Sequence, residues 1–156
     1  MITASEITYR ALSRNISDDH IRDADILKAE WDYIRAYVGS DLYVLVKANA
    51  DNNYDDFIDE YVKPVLAYGV VFNIFERITS EISDRGVVQM LSEGATVMDA
   101  ESRNRAKQEI LESLVMHLER MVDYLDDSTD ALFSEYEDQE YEYGYQSPDY
   151  TNRNEL

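Results

Sequence analysis

Apolar residues return every three or four positions along most of the chain, the period of helices with one buried face. Thr3-Ala4-Ser5-Glu6 has the spacing of a capping box, in which a hydroxyl accepts from the third helical N–H while a carboxylate reaches back. A short helix through about Leu12 follows. After the polar, turn-prone stretch Asn15 to Asp19, the series Ile21, Ala24, Leu27, Trp31, Ile34 and Val38 predicts a second helix, stopped by Gly39. Ser40 or Asp41 is placed to cap a third, Leu42 to Ala48, which closes in Asn49-Ala50-Asp51-Asn52-Asn53. These amphipathic helices are expected to pack antiparallel.

From Tyr54 to Ile78 the pattern is apolar nearly all round, as in Val65-Leu66-Ala67-Tyr68-Gly69-Val70-Val71-Phe72, which marks a central helix. Pro64 lacks a backbone donor, so the helix is expected to kink or restart there. Lys63, Asn73, Glu76 and Arg77 leave too short an apolar run to cross a bilayer. Between Thr79 and Met98 the helical period fades. There Ile82-Ser83-Asp84-Arg85-Gly86-Val87-Val88 sets a turn between β-friendly residues and predicts a small hairpin or ordered loop. A last helix, capped by Asp99 and ending near Leu125, carries Ile110, Leu111, Leu114, Val115, Leu118, Met121, Val122 and Leu125 on one stripe, with Glu109, Glu112, Glu119 and Asp123 facing out.

Residues 134–156 break this order. They hold seven acidic residues, one basic residue and five tyrosines, with Leu156 the single aliphatic. Such a segment cannot bury enough apolar surface to offset its own ordering entropy. Tyrosine combines a large ring with a hydroxyl suited to a wet interface, so Tyr136, Tyr141, Tyr143, Tyr145 and Tyr150 are candidate anchors of an interaction strand. Tyr141, Tyr143 and Tyr145 alternate and would share one face of an extended segment. The fold expected is therefore all-α: a helical domain of about five helices over residues 1–133, one small hairpin or loop, and an extended acidic tail over 134–156.

Composition narrows the function. With 14 Lys+Arg against 33 Asp+Glu, the net charge of −19 disfavours an electrostatic grip on nucleic acid or anionic lipid, which relies on cationic side chains. The absence of cysteine removes disulfides, thiolate metal sites and thiol nucleophiles. The N-terminus lacks a basic region followed by an apolar run, so no secretory signal is expected. His20 and His117 are the two histidines, and neither has the Glu three residues earlier that a di-iron bundle requires. No phosphate loop, nucleophile elbow or metalloprotease motif occurs, and Asp51-Asn52-Asn53-Tyr54-Asp55-Asp56 lacks the glycine of a calcium loop. No enzymatic activity, cofactor or metal is expected.

Two segments resemble a known family. Val38-Gly39-Ser40-Asp41-Leu42-Tyr43, at the end of Ala29 to Tyr43, is similar to a leucine-glycine-x-x-leucine-tyrosine pattern, with Val in place of Leu. Val62-Lys63-Pro64-Val65-Leu66-Ala67-Tyr68 is similar to a proline-leucine-leucine-alanine-tyrosine helix start, and a Gly86-Val87-Val88 turn follows. Both patterns belong to head–tail connector (adaptor ring) proteins of tailed phages infecting Bacteroidales, including crAss-like phages. The resemblance spans roughly residues 16–126. It implies a structural virion protein: a helical subunit of a homo-oligomeric ring of twelve copies below the portal protein, next to other tail or ring proteins. The genome would pass through the lumen without specific binding, and no membrane would be involved. It also implies a place at the portal–tail junction of the virion, after assembly in the host cytoplasm. Arg85, Gly86, Val87, Val88 and the basic cluster Arg103, Arg105 and Lys107 are then candidate contacts to neighbours, with the tail tyrosines. The competing reading is an acidic DNA mimic that inhibits a basic nucleic-acid-binding protein.

Overall fold

The computed structural model describes residues 1–11, 18–84 and 100–136. Within them the chain is all-α, with five helices, three single 3-10 turns and no strands. Helix α1 is Ala4–Ala11, and the capping box forms: the Thr3 N–H donates to Glu6 Oε2 at 2.9 Å and the Glu6 N–H to Thr3 Oγ1 at 3.3 Å. Helix α2 covers residues 23–38, the Asp25 carboxylate accepting from the Arg22 N–H at its start. Helix α3 is Ser40–Ala48, α4 covers residues 55–84, and α5 is Ala100–Asp127.

Helix α4 is the hub. Its Val62, Val65, Leu66, Ala67, Val70, Val71 and Ile74 are buried, and α1, α2 and α5 each pack against it. Helices α1 and α2 therefore dock on α4 individually and barely meet, unlike the pairing expected from the sequence, whereas α3 packs on α2 through Tyr43 and Lys47 at Glu30. Helix α5 contributes Leu114, Leu118, Met121 and Leu125, a spacing that keeps one face on the core. Glu109, Glu112, Glu119 and Asp123 are exposed as expected, but Val115 is also exposed.

Two helices contain a π-helical segment, Glu30–Arg35 in α2 and Ile58–Val62 in α4. In α4 the wider turn falls immediately before Pro64: the Lys63 N–H donates to Ile58 O, five residues back. A proline removes its own donor and crowds the preceding turn, and local widening lets the helix pass it without a break. In α2 the wide turn shifts the phase of the helix. Ala24, Leu27 and Trp31, expected on the apolar face, lie outside, whereas Ala29, Glu30, Ile34 and Val38 are buried.

Helix α4 also outruns its expected end at Ile78, continuing through Asp84. Thr79 turns its hydroxyl back to donate to Phe75 O and Glu76 O, so a polar residue is accommodated within the helix. Ile82 and Ser83, expected in the first arm of a hairpin, are consequently helical. The rest of that hairpin or loop and the expected Asp99 cap lie outside the described residues, as does nearly all of the tail. At the corner between α2 and α3, Gly39 takes φ 84°, a conformation costly for any residue with a Cβ. Neither Ser40 nor Asp41 caps α3; both lie inside it, and Gly39 is the residue before it.

Candidate functional site

The most complete polar constellation joins α2 and α3. Glu30, carried into the core by the π-helical turn, is 5 % exposed. Its Oε2 accepts from Tyr43 Oη at 3.0 Å and from Lys47 Nζ at 2.6 Å, and Lys47 Nζ also donates to Tyr43 Oη at 2.9 Å. The hydrogen bond to Glu30, with that to Tyr43, raises the Lys47 pKa above its ordinary value. Nearby on α4, Lys63 bonds Glu6 at 2.8 Å and Asp59 at 2.6 Å, which ties α1 to the hub. Lys63 in turn holds the Glu6 carboxyl down to about 2, helped by the two Thr3 hydrogen bonds. An open cavity of about 300 Å³ lies between the two lysines, bordered also by Asn49, Asp55 and Asp59. Acids and bases balance around it, and each ammonium already has a carboxylate partner.

A second constellation fixes the other half of α2. Arg77 of α4 grips Asp25 at 3.0 and 2.5 Å and donates to His20 O at 2.9 Å. The guanidinium keeps the Asp25 carboxyl below its ordinary value. The third is aromatic. Tyr61 and Tyr124 stack at 4.4 Å between ring centroids, Phe57 lies beside both, and Phe133 meets Phe57 edge-on at 5.1 Å. With Tyr54 Oη donating to Leu132 O at 3.0 Å, this cluster fastens the turn Ala131–Phe133 to the beginning of α4. His117 stacks on Tyr68 at 5.3 Å, and burial with the nearby Arg120 lowers its pKa. Among the described residues no group of three or more His, Asp or Glu could hold a metal ion, and no helix is long and apolar enough to cross a membrane.

The sequence-derived interface residues are dispersed. Lys107 turns toward α4, bonding Glu76 at 2.8 Å and lying over the Phe72 ring. Arg105 pairs with Glu101 at 3.6 Å on the surface of α5, and Arg103 is half-buried at the same end. Tyr136 donates to Asp126 at 2.9 Å and packs against the core. Arg85, Gly86, Val87, Val88, Tyr141, Tyr143, Tyr145 and Tyr150 lie outside the described residues. Sequence reasoning missed the Glu30–Tyr43–Lys47 triad. Its signal was a lone acid between Ile26 and Ile34 at four-residue steps.

These features define an all-α protein built on one hub helix, in which all four lysines, with Arg77 and Arg105, are ion-paired within the protomer. Residues 24–143 match the model of a family of unknown function, DUF6712, and the chain belongs to that family. No curated protein and no solved structure matches it.

Proposed function

We propose that the protein is a structural subunit of a virion ring that joins the portal to the tail and surrounds the path of the genome. The observation that carries this reading is the disposition of charge. Lys28 pairs with Asp32, Lys47 with Glu30, Lys63 with Glu6 and Asp59, Arg77 with Asp25, Arg105 with Glu101 and Lys107 with Glu76. Pairing within the protomer offsets these cations, and the excess acids remain. A conduit wall with this surface repels DNA and lets it move without being held.

The connector-like motifs support the same reading, and they fall at two distinctive places: the Gly39 corner and the π-to-α transition at Pro64. Net charge also sets a demand. Like-charged copies close into a ring only where apolar contacts or opposite charges offset repulsion. Native mass measurement of the protein, alone and mixed with portal protein, tests the proposal. The expected result is a cyclic oligomer or a stable portal complex. A strict monomer that ignores portal but binds a basic DNA-binding protein in a salt-sensitive way would overturn it in favour of DNA mimicry.

A further inference from the structure

The face of α2 and α3 turned away from the hub is the least explained surface of the molecule. Leu27 is 49 % exposed, Trp31 52 % and Val44 61 %. Single exposed apolar residues are ordinary; a half-bare tryptophan within a continuous strip marks a contact surface. Continuity comes from Arg35. Its guanidinium lies 4.1 Å from the Trp31 ring centroid and bonds Ser40 Oγ at 3.1 Å across the corner, one turn before Val44. Leu27 precedes Trp31 by one turn. Among the described residues Arg35 is ion-paired with no carboxylate, whereas its neighbour Lys28 is paired with Asp32. The strip thus offers an aromatic and aliphatic track with one cation to spare, in a chain of charge −19.

We propose that the C-terminal segment of the same chain, residues 137–156, covers this strip. The segment carries six acids, one arginine and Tyr141, Tyr143, Tyr145 and Tyr150. Its carboxylates complement Arg35, and its alternating tyrosines suit the Trp31 and Leu27 surface. Its point of departure is also right. Tyr136 is fixed to Asp126, Leu132 is fixed to Tyr54, and the Tyr54 N–H donates to Asn49 Oδ1 at 2.9 Å. Asn49 ends α3, and Val44 lies little more than one turn back along it. The twenty residues 137–156 span up to about 66 Å when extended, several times the length of about 13 Å of α3. The segment's own strip is therefore within reach, and tethering gives it a high effective concentration there. The matched family span, residues 24–143, contains the whole strip together with Tyr141 and Tyr143. The inference holds whether or not copies form a ring.

Trp31 is the sole tryptophan and reports directly on its own cover. Acrylamide quenching of the full-length protein is compared with the Y141S/Y143S/Y145S variant and with R35E, helicity being checked by circular dichroism. Quenching should rise about two-fold in the tyrosine variant, with a red-shifted emission; R35E also lifts the guanidinium off Trp31, so it serves as the background for the charge-reversal rescue. A free peptide of residues 137–156 added to the tyrosine variant should restore protection, and E140K/E142K should partly rescue R35E. Quenching of the tyrosine variant equal to that of the full-length protein overturns the proposal, as does protection that disappears on dilution, which would place a second copy on the strip.

Discussion

Gly69 shows how narrowly single positions are set. A Cβ there would lie 2.5 Å from Tyr33 Cδ2, so the Tyr33 ring rests directly on the backbone of α4, and its hydroxyl donates to Asn73 at 2.9 Å. Gly69→Ala should cost about 1–3 kcal/mol through overpacking, as read from chemical denaturation. Much of that loss should return in the Y33A background, where the clash is absent. Glu30 makes the reverse case, a buried charge that depends on its partners. Lys47→Ala leaves the carboxylate with Tyr43 alone and should destabilise by about 1–3 kcal/mol, because Lys47 is itself 45 % exposed and Tyr43 still donates. Glu6 adds a pH dependence. Its folded pKa of about 2 lies below the ordinary value of 4.5, so its contribution is complete above pH 4.5 and is lost as pH falls toward 2. Glu6 is 37 % exposed at its side chain, which holds that contribution to about 1 kcal/mol. Comparing urea midpoints of wild type and E6Q across this range isolates it from the relief of overall repulsion: the two should converge at the acid end.

Among elements, α1 was the most legible in sequence, since a capping box is a local device complete within four residues. Thr3→Ala should lower stability by about 1 kcal/mol, detectable as a reduced melting temperature, because Glu6 serves both the cap and Lys63. The central helix was legible from its all-round apolar character, and its passage through Pro64 was not. A π-helical turn leaves no periodic mark of its own; it shows only as a change of phase between the residues before and after it. The same change of phase hid the outer strip of α2, where Leu27 and Trp31 read as core by spacing. The end of α4 was missed for a different reason. Beyond Ile78 no apolar period extends the helix, and Thr79 folds its hydroxyl back onto the preceding carbonyls.

At the scale of the whole molecule, net charge was readable by counting, but the pairing that gives it meaning needed the tertiary fold. Glu30 meets Lys47 across 17 residues and Arg77 meets Asp25 across 52. With so many acids left over, self-repulsion should outweigh these pairs. Raising salt from low to moderate concentration should therefore raise the melting temperature by about 2–5 °C in scanning calorimetry; a fall would mean that the internal pairs dominate.

The hub arrangement also orders the molecule by how its parts open. Because α1, α2 and α5 each rest on α4, no opening that exposes the middle of α4 leaves the other helices a surface to rest on. Amide hydrogens from Val65 to Ile74 should exchange with solvent only through complete unfolding, and α1, which buries Ile2 and Ile7 against the same hub, should exchange close to that limit at Ile7 and faster at its exposed face. The N-terminal helix and Ile21 then belong to the same cooperative core as the hub, although they precede residue 24, where the family match begins.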